Sequence, residues 1–128
     1  MLIVTDGQDT CKGIAGEIAH IVGKPAALVE ADRFAGTDIL PAAVFFLGCA
    51  EAAPRTFGYL ETLFGHISLA GRSCGIFSPD GGALDYLEDL VRPSEALMGR
   101  PFLAGGDDSG LRSWVQEVLA RRVGNGRF

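Results

Sequence analysis

Apolar residues recur along the chain in two alternating rhythms. Leu2-Ile3-Val4 is a short apolar run stopped by Asp6-Gly7, and behind it Ile14, Ala15, Ile18, Ala19 and Val22 recur at the spacing of a buried helix face. The pattern reads strand, loop, helix. Ala26-Ala27-Leu28-Val29 predicts a second strand, followed by a polar stretch from Asp32 to Asp38 in which Gly36-Thr37 is expected to break any regular element. Ala43-Val44-Phe45-Phe46-Leu47 is continuously apolar, as a parallel strand covered on both faces requires, so it predicts a central strand. Pro54 suits the first turn of a second helix, whose apolar face is Phe57, Leu60, Phe64 and Ile67. Ser73-Cys74-Gly75-Ile76-Phe77 predicts the fourth strand, and Ser78-Pro79-Asp80-Gly81-Gly82 a break that continues neither kind of element. Ala83 to Val91 predicts a third helix, stopped before Pro93. Ser94 to Arg100 reads as a connection, and Pro101-Phe102-Leu103-Ala104 as a short fifth strand with its proline at the start. A last helix is predicted from Ser109 to about Val123, with Leu111, Trp114, Val115, Val118 and Leu119 turned inward.

Strands that alternate with helices pair in parallel and carry helices on both faces, and right-handed crossovers leave few arrangements. The prediction is therefore an α/β domain: a three-layer, doubly wound, five-stranded parallel sheet of order 2-1-3-4-5. Its switch point lies between the first and third strands. The 128 residues fit one such domain, 1–128, and not two independent cores.

Composition adds constraints to this picture. Hydrophobic residues make up 48% of the chain and charged ones 21%, which supplies a core and gives no case for extended disorder. Eleven Lys and Arg against 16 Asp and Glu leave a net charge of −5, which argues against nucleic acid and anionic membrane as partners. No apolar run approaches the ~20 residues of a membrane helix. Strand-like residues begin at Leu2, so a cytoplasmic chain is the expectation. Cys11, Cys49 and Cys74 are odd in number and widely spaced, a pattern of reduced thiols rather than of disulfides or a zinc site. No metal site and no catalytic group is predicted, and the sequence leaves open whether the protein is an enzyme.

In open α/β sheets ligands sit beyond the carboxyl ends of the strands at the switch point, which directs attention to the loops Thr5 to Gly13, Gly48 to Phe57 and Ser78 to Gly82. In these loops the chain resembles flavodoxins. Leu47-Gly48-Cys49 looks like the start of the flavodoxin loop that flanks the isoalloxazine ring, and Pro54-Arg55-Thr56-Phe57-Gly58 is similar to a loop of flavodoxin-like quinone reductases. Gly71-Arg72 before the fourth strand and a glycine-containing loop after it repeat the flavodoxin pattern. The resemblance covers most of the chain as an order of elements and implies FMN, bound for electron transfer or redox chemistry, with a redox protein as a further partner. The flavin-contacting residues it implies are Thr5, Asp6, Gly7, Gln8, Thr10, Cys11 and Lys12, then Gly48, Cys49 and Ala50, then Ser78, Pro79, Asp80, Gly81 and Gly82.

Flavodoxins place Ser, Thr and Gly around the flavin phosphate, and Thr5, Gly7, Thr10 and Gly13 suit that role at a helix N-terminus. Asp6 and Asp9 depart from it. A carboxylate ~5 Å from a unit of phosphate charge costs roughly 3 kcal/mol at an effective dielectric of 20, about two decades of affinity. Lys12 is placed to offset one of them. The competing reading is that Asp6 or Asp9 simply caps the helix, which goes with a flavin-free interaction or regulatory module on the same fold. Phe57 reads as core, Tyr59 and Tyr86 as amphipathic surface, and the loop from Gly48 to Pro54 lacks the Trp or Tyr that many flavodoxins supply there. A receiver domain shares the strand order, but no Asp ends the third strand and no Lys follows the fifth.

Overall fold

The computed structural model describes residues 1–23, 26–39, 41–104 and 109–125. Its elements are β1 (Leu2–Thr5), α1 (Asp9–Val22), β2 (Ala27–Glu30), α2 (Gly36–Ile39), β3 (Val44–Gly48), α3 (Gly58–Phe64), β4 (Ser73–Ser78), α4 (Gly81–Val91), β5 (Leu97–Met98), β6 (Phe102–Leu103) and α5 (Leu111–Asn125). The strands form one parallel sheet in the order β2-β1-β3-β4-β5, with β6 also paired to β4. This is the doubly wound arrangement that the alternation of elements predicts.

Alternation along the strands divides the core. Leu2, Val4, Phe45, Leu47 and Ile76 face one side, where Leu60 and Phe64 of α3 and Leu84 and Leu87 of α4 cover them. Ile3, Val44 and Phe46 face the other side, beneath Ile14, Ala15 and Ile18 of α1 and Trp114, Val115 and Val118 of α5. Every residue of β1, β3 and β4 is buried, as strands covered on both faces must be. The strands at the sheet edges are less covered, with Leu28 of β2 and Leu103 of β6 exposed.

Three sequence expectations need correction. Gly36-Thr37 does not break regular structure: it opens the single helical turn α2, in which the Asp38 carboxylate accepts a hydrogen bond from Ala35 N at 3.0 Å. Pro54 precedes a short 3-10 turn, Arg55–Phe57, and α3 begins only at Gly58. The fifth strand is divided. Leu97–Met98 pairs with Ser73–Cys74 and Phe102–Leu103 with Phe77–Ser78, so the segment read as a connection contributes its own strand. The intervening Arg100 is pinned to α5, where its guanidinium donates to both Glu117 oxygens at 2.9 and 2.7 Å and its carbonyl accepts from Trp114 Nε1 at 2.9 Å.

Trp114 is central to that second layer, with ring centroids of Phe102, Phe46 and Phe77 at 5.3, 5.6 and 6.4 Å. Truncation would empty an aromatic-lined space and leave the Arg100 carbonyl without its donor. Trp114→Ala is expected to destabilise the protein by about 3–5 kcal/mol, read as a lowered urea midpoint at an unchanged denaturant slope.

Candidate functional site

The strand order reverses between β1 and β3, so the loops that leave those strands diverge to opposite faces and open a crevice. Leu2 to Thr5 of β1 stand opposite Phe45 to Gly48 of β3 in register. Asp6 follows immediately. Its side chain is 8% exposed, and its carboxylate joins the two loops: Oδ1 accepts from Gln8 N at 3.0 Å and Oδ2 from Ala50 N at 2.7 Å. The Thr56 hydroxyl donates to the Asp6 carbonyl at 3.4 Å, adding a second tie between the same loops. Burying a carboxylate is tolerated when charge-assisted hydrogen bonds replace its water.

Asp6 is therefore neither a helix cap nor a surface charge. The N-cap of α1 is Gln8, whose side chain makes no capping hydrogen bond, while the Thr5 hydroxyl accepts from Gly7 N at 3.3 Å. Asp9 and Thr10 stand exposed at the start of α1. The expected role of Lys12 also changes: its ammonium lies 3.5 Å from Glu30, at the end of β2, rather than at Asp6 or Asp9. Gly7 has φ +89, which favours glycine, and a methyl group there would stand 3.1 Å from Glu30 Oε1. Glu30 was not legible as a site residue, because its place depends on the pairing of Thr5 with Glu30 across β1 and β2.

On the far side of the crevice Gly48 is fixed by close approach, since a Cβ would fall 2.2 Å from the Phe77 ring. Cys49 and Cys11 are both buried, and burial together with the Asp6 charge pushes each thiol up from its ordinary value of 9.0 to about 12. Asp80 and Glu51 act on Cys49 in the same direction, which brings the loop after β4 into the same neighbourhood. In that loop the buried Ser78 hydroxyl accepts from Asp80 N at 3.0 Å, and Asp80 caps α4 by accepting from Ala83 N at 2.9 Å. Gly81 and Gly82 consequently form the first turn of α4 and Pro79 is half-buried, which corrects the reading of all five residues as a break.

Phe57 is fully buried in the core, as its helical spacing implies, with the Tyr86 ring 6.3 Å away. The Tyr86 hydroxyl donates to Glu61 at 2.6 Å, and burial with that carboxylate raises its phenol pKa strongly. Tyr59 is 47% exposed and packs against Phe34. Among the described residues no group of His, Cys, Asp and Glu could hold a metal ion, and no helix is long and apolar enough to cross a membrane.

Two outcomes follow from these contacts. Asp6→Ala removes the acceptor of two backbone N–H groups and is expected to destabilise by about 1–3 kcal/mol, seen as a lowered urea midpoint. Cys11 and Cys49 ionise at higher pH folded than unfolded, so their contribution to stability is complete below pH 9 and is lost as pH rises toward about 12. The urea midpoint should therefore fall over that range, and less steeply in a Cys11→Ala/Cys49→Ala variant.

No protein-family model and no curated protein sequence matches the chain. Solved structures do match. A short-chain flavodoxin associated with a bacterial microcompartment superposes with a TM-score of 0.80 at 10% identity, over 94% of this chain and 96% of that one. A Streptococcus flavodoxin gives 0.79 at 14% identity, over 94% and 97%. A Fusobacterium nucleatum flavodoxin variant, bound to flavin mononucleotide, gives 0.68 at 11% identity, over 96% and 94%. With the parallel order β2-β1-β3-β4-β5 and helices on both faces, the chain has the flavodoxin-like fold.

Proposed function

We propose that this chain is a flavin-binding protein of flavodoxin type, which holds FMN in the crevice between the loops that follow β1, β3 and β4. The reading is carried by one observation: the first turn of α1 opens at the reversal of strand order with no side-chain cap, and Asp6 ties it to the loop after β3. Such a turn presents backbone N–H groups and the positive end of a helix dipole to an anion. In this reading the backbone of Asp9, Thr10 and Cys11 and the Thr10 hydroxyl meet the phosphate, with Gly7 and Gln8 shaping the approach. The loops at Gly48 to Ala50 and at Ser78 to Gly82 border the ring.

Charge around the crevice opposes the ligand's phosphate. Asp6 and Asp9 belong to the loop that would receive the phosphate, Glu51 and Asp80 add negative charge near Cys49, and Lys12 is engaged by Glu30. Flavin, when bound, supplies one- or two-electron transfer, and the protein's part is to orient it, exclude water and tune it by backbone hydrogen bonds. A redox protein is the natural partner of such a carrier. The second reading is a flavin-free interaction module, and the Asp6 carboxylate favours it: Gln8 N–H and Ala50 N–H, donors a ligand would use, already serve an anion of the chain itself.

Fluorescence titration separates the two. Saturable 1:1 quenching of FMN is expected, with Asp6→Ser binding about a hundredfold more tightly, the scale of removing one nearby negative charge. Absence of binding at tens of micromolar FMN would sink the flavin reading.

A further inference from the structure

The loop from Thr5 to Gly13 contains a single cation, Lys12, and its ammonium is held 3.5 Å from Glu30 Oε2. The other oxygen of the same carboxylate stands against Gly7, where a Cβ would approach it to 3.1 Å. Glu30 reaches this position because it ends β2 directly opposite Thr5, so its side chain flanks the loop from the sheet edge. Between α1 and β2 lies a hollow of about 150 Å³, with Thr5, Lys12 and Glu30 among its lining residues and Leu28 half exposed in its wall. The ammonium therefore sits on the β2 side of α1, drawn there by Glu30. The loop's backbone is similarly committed, since Gly7 N–H donates to Thr5 and Gln8 N–H to Asp6.

We infer that Glu30 is a specificity-determining residue of the flavin site: it withholds the loop's one cation from a ligand phosphate, so that the N–H groups of α1 meet the phosphate against opposing carboxylates without a cation's help, and the chain scarcely distinguishes FMN from riboflavin. This rests on the flavin reading above. Two carboxylates thus act against the phosphate by different routes. Asp6 does so from beneath the loop through its charge and the donors it occupies, Glu30 from the side by engaging Lys12. Of the two, Glu30 is the one that can be neutralised without orphaning a backbone donor, because it pairs with the exposed Lys12 ammonium.

The test titrates FMN and riboflavin into the wild type, Glu30→Gln, Lys12→Gln and the double variant. Wild-type dissociation constants for the two flavins should lie within about threefold of each other. Glu30→Gln should tighten FMN about fivefold, the scale of one partly exposed charge pair, while riboflavin stays unchanged. Lys12→Gln should alter FMN binding less than twofold in the wild type yet abolish the gain in the Glu30→Gln background. A hundredfold wild-type preference for FMN, or no gain in Glu30→Gln, overturns the inference. If the wild type binds neither flavin, the flavin reading fails by itself, and the Glu30 inference is then read from amide resonances of Asp9, Thr10 and Cys11 titrated with inorganic phosphate. Glu30→Gln must respond at several-fold lower phosphate than the wild type does; an equal response refutes the role given to Glu30.

Discussion

The parallel pairing of β1 with β3 is the constraint on which the remaining architecture hangs. Because Thr5 stands opposite Gly48, the next residue of each strand, Asp6 and Cys49, leaves the sheet at the same level. The Asp6 carboxylate then reaches Ala50 N and extends the association of the two chains beyond the last strand pair. The reversal that separates α1 from α3 onto opposite faces would otherwise let these loops splay. A buried anion with two N–H donors holds them together in an environment of low dielectric, where such bonds are strong.

The same anion shapes the chemistry of its surroundings. Cys11 and Cys49 approach it from the two different cores, one under α1 and one under α3 and α4, and both are kept as neutral thiols. A thiol is a nucleophile as thiolate, and burial beside the Asp6 charge disfavours that form at both positions. Their contribution is packing, which agrees with their complete burial.

Most of the fold was legible because the signals were local and strong. The runs Leu2 to Val4 and Ala43 to Leu47, and the spacing of Ile14, Ala15 and Ile18, each settle one element, and alternation settles the topology. The division of the last strand was not legible: Leu97–Met98 is too short to show a period, and its pairing to Ser73–Cys74 is a long-range event. The turn at Gly36–Ile39 defeated a propensity argument for the same reason, since glycine disfavours helix on average while a single turn between fixed strands needs little propensity. In the candidate site, residue types directed attention to three loops, but the partners within them did not follow from sequence. Asp6 bonds across 44 residues to Ala50, and Lys12 turns to Glu30, a choice set by strand register.

That choice bears on how the crevice behaves without a ligand. A loop at a helix N-terminus carries unsatisfied N–H groups that water, a ligand or the chain itself must meet. Here the chain meets two of them, since Thr5 serves Gly7 N–H and Asp6 serves Gln8 N–H, and the second Asp6 oxygen serves Ala50 N–H of the neighbouring loop. The loop's shape is thus held by acceptors that belong to the chain itself. A ligand entering such a crevice finds the geometry preformed, which lowers the ordering cost of binding, but it also finds fewer free donors and an opposing charge. On the flavin reading, this balance moves recognition from the phosphate end toward the loops after β3 and β4, where Gly48 is fixed by packing and Ser78 by its bond from Asp80 N.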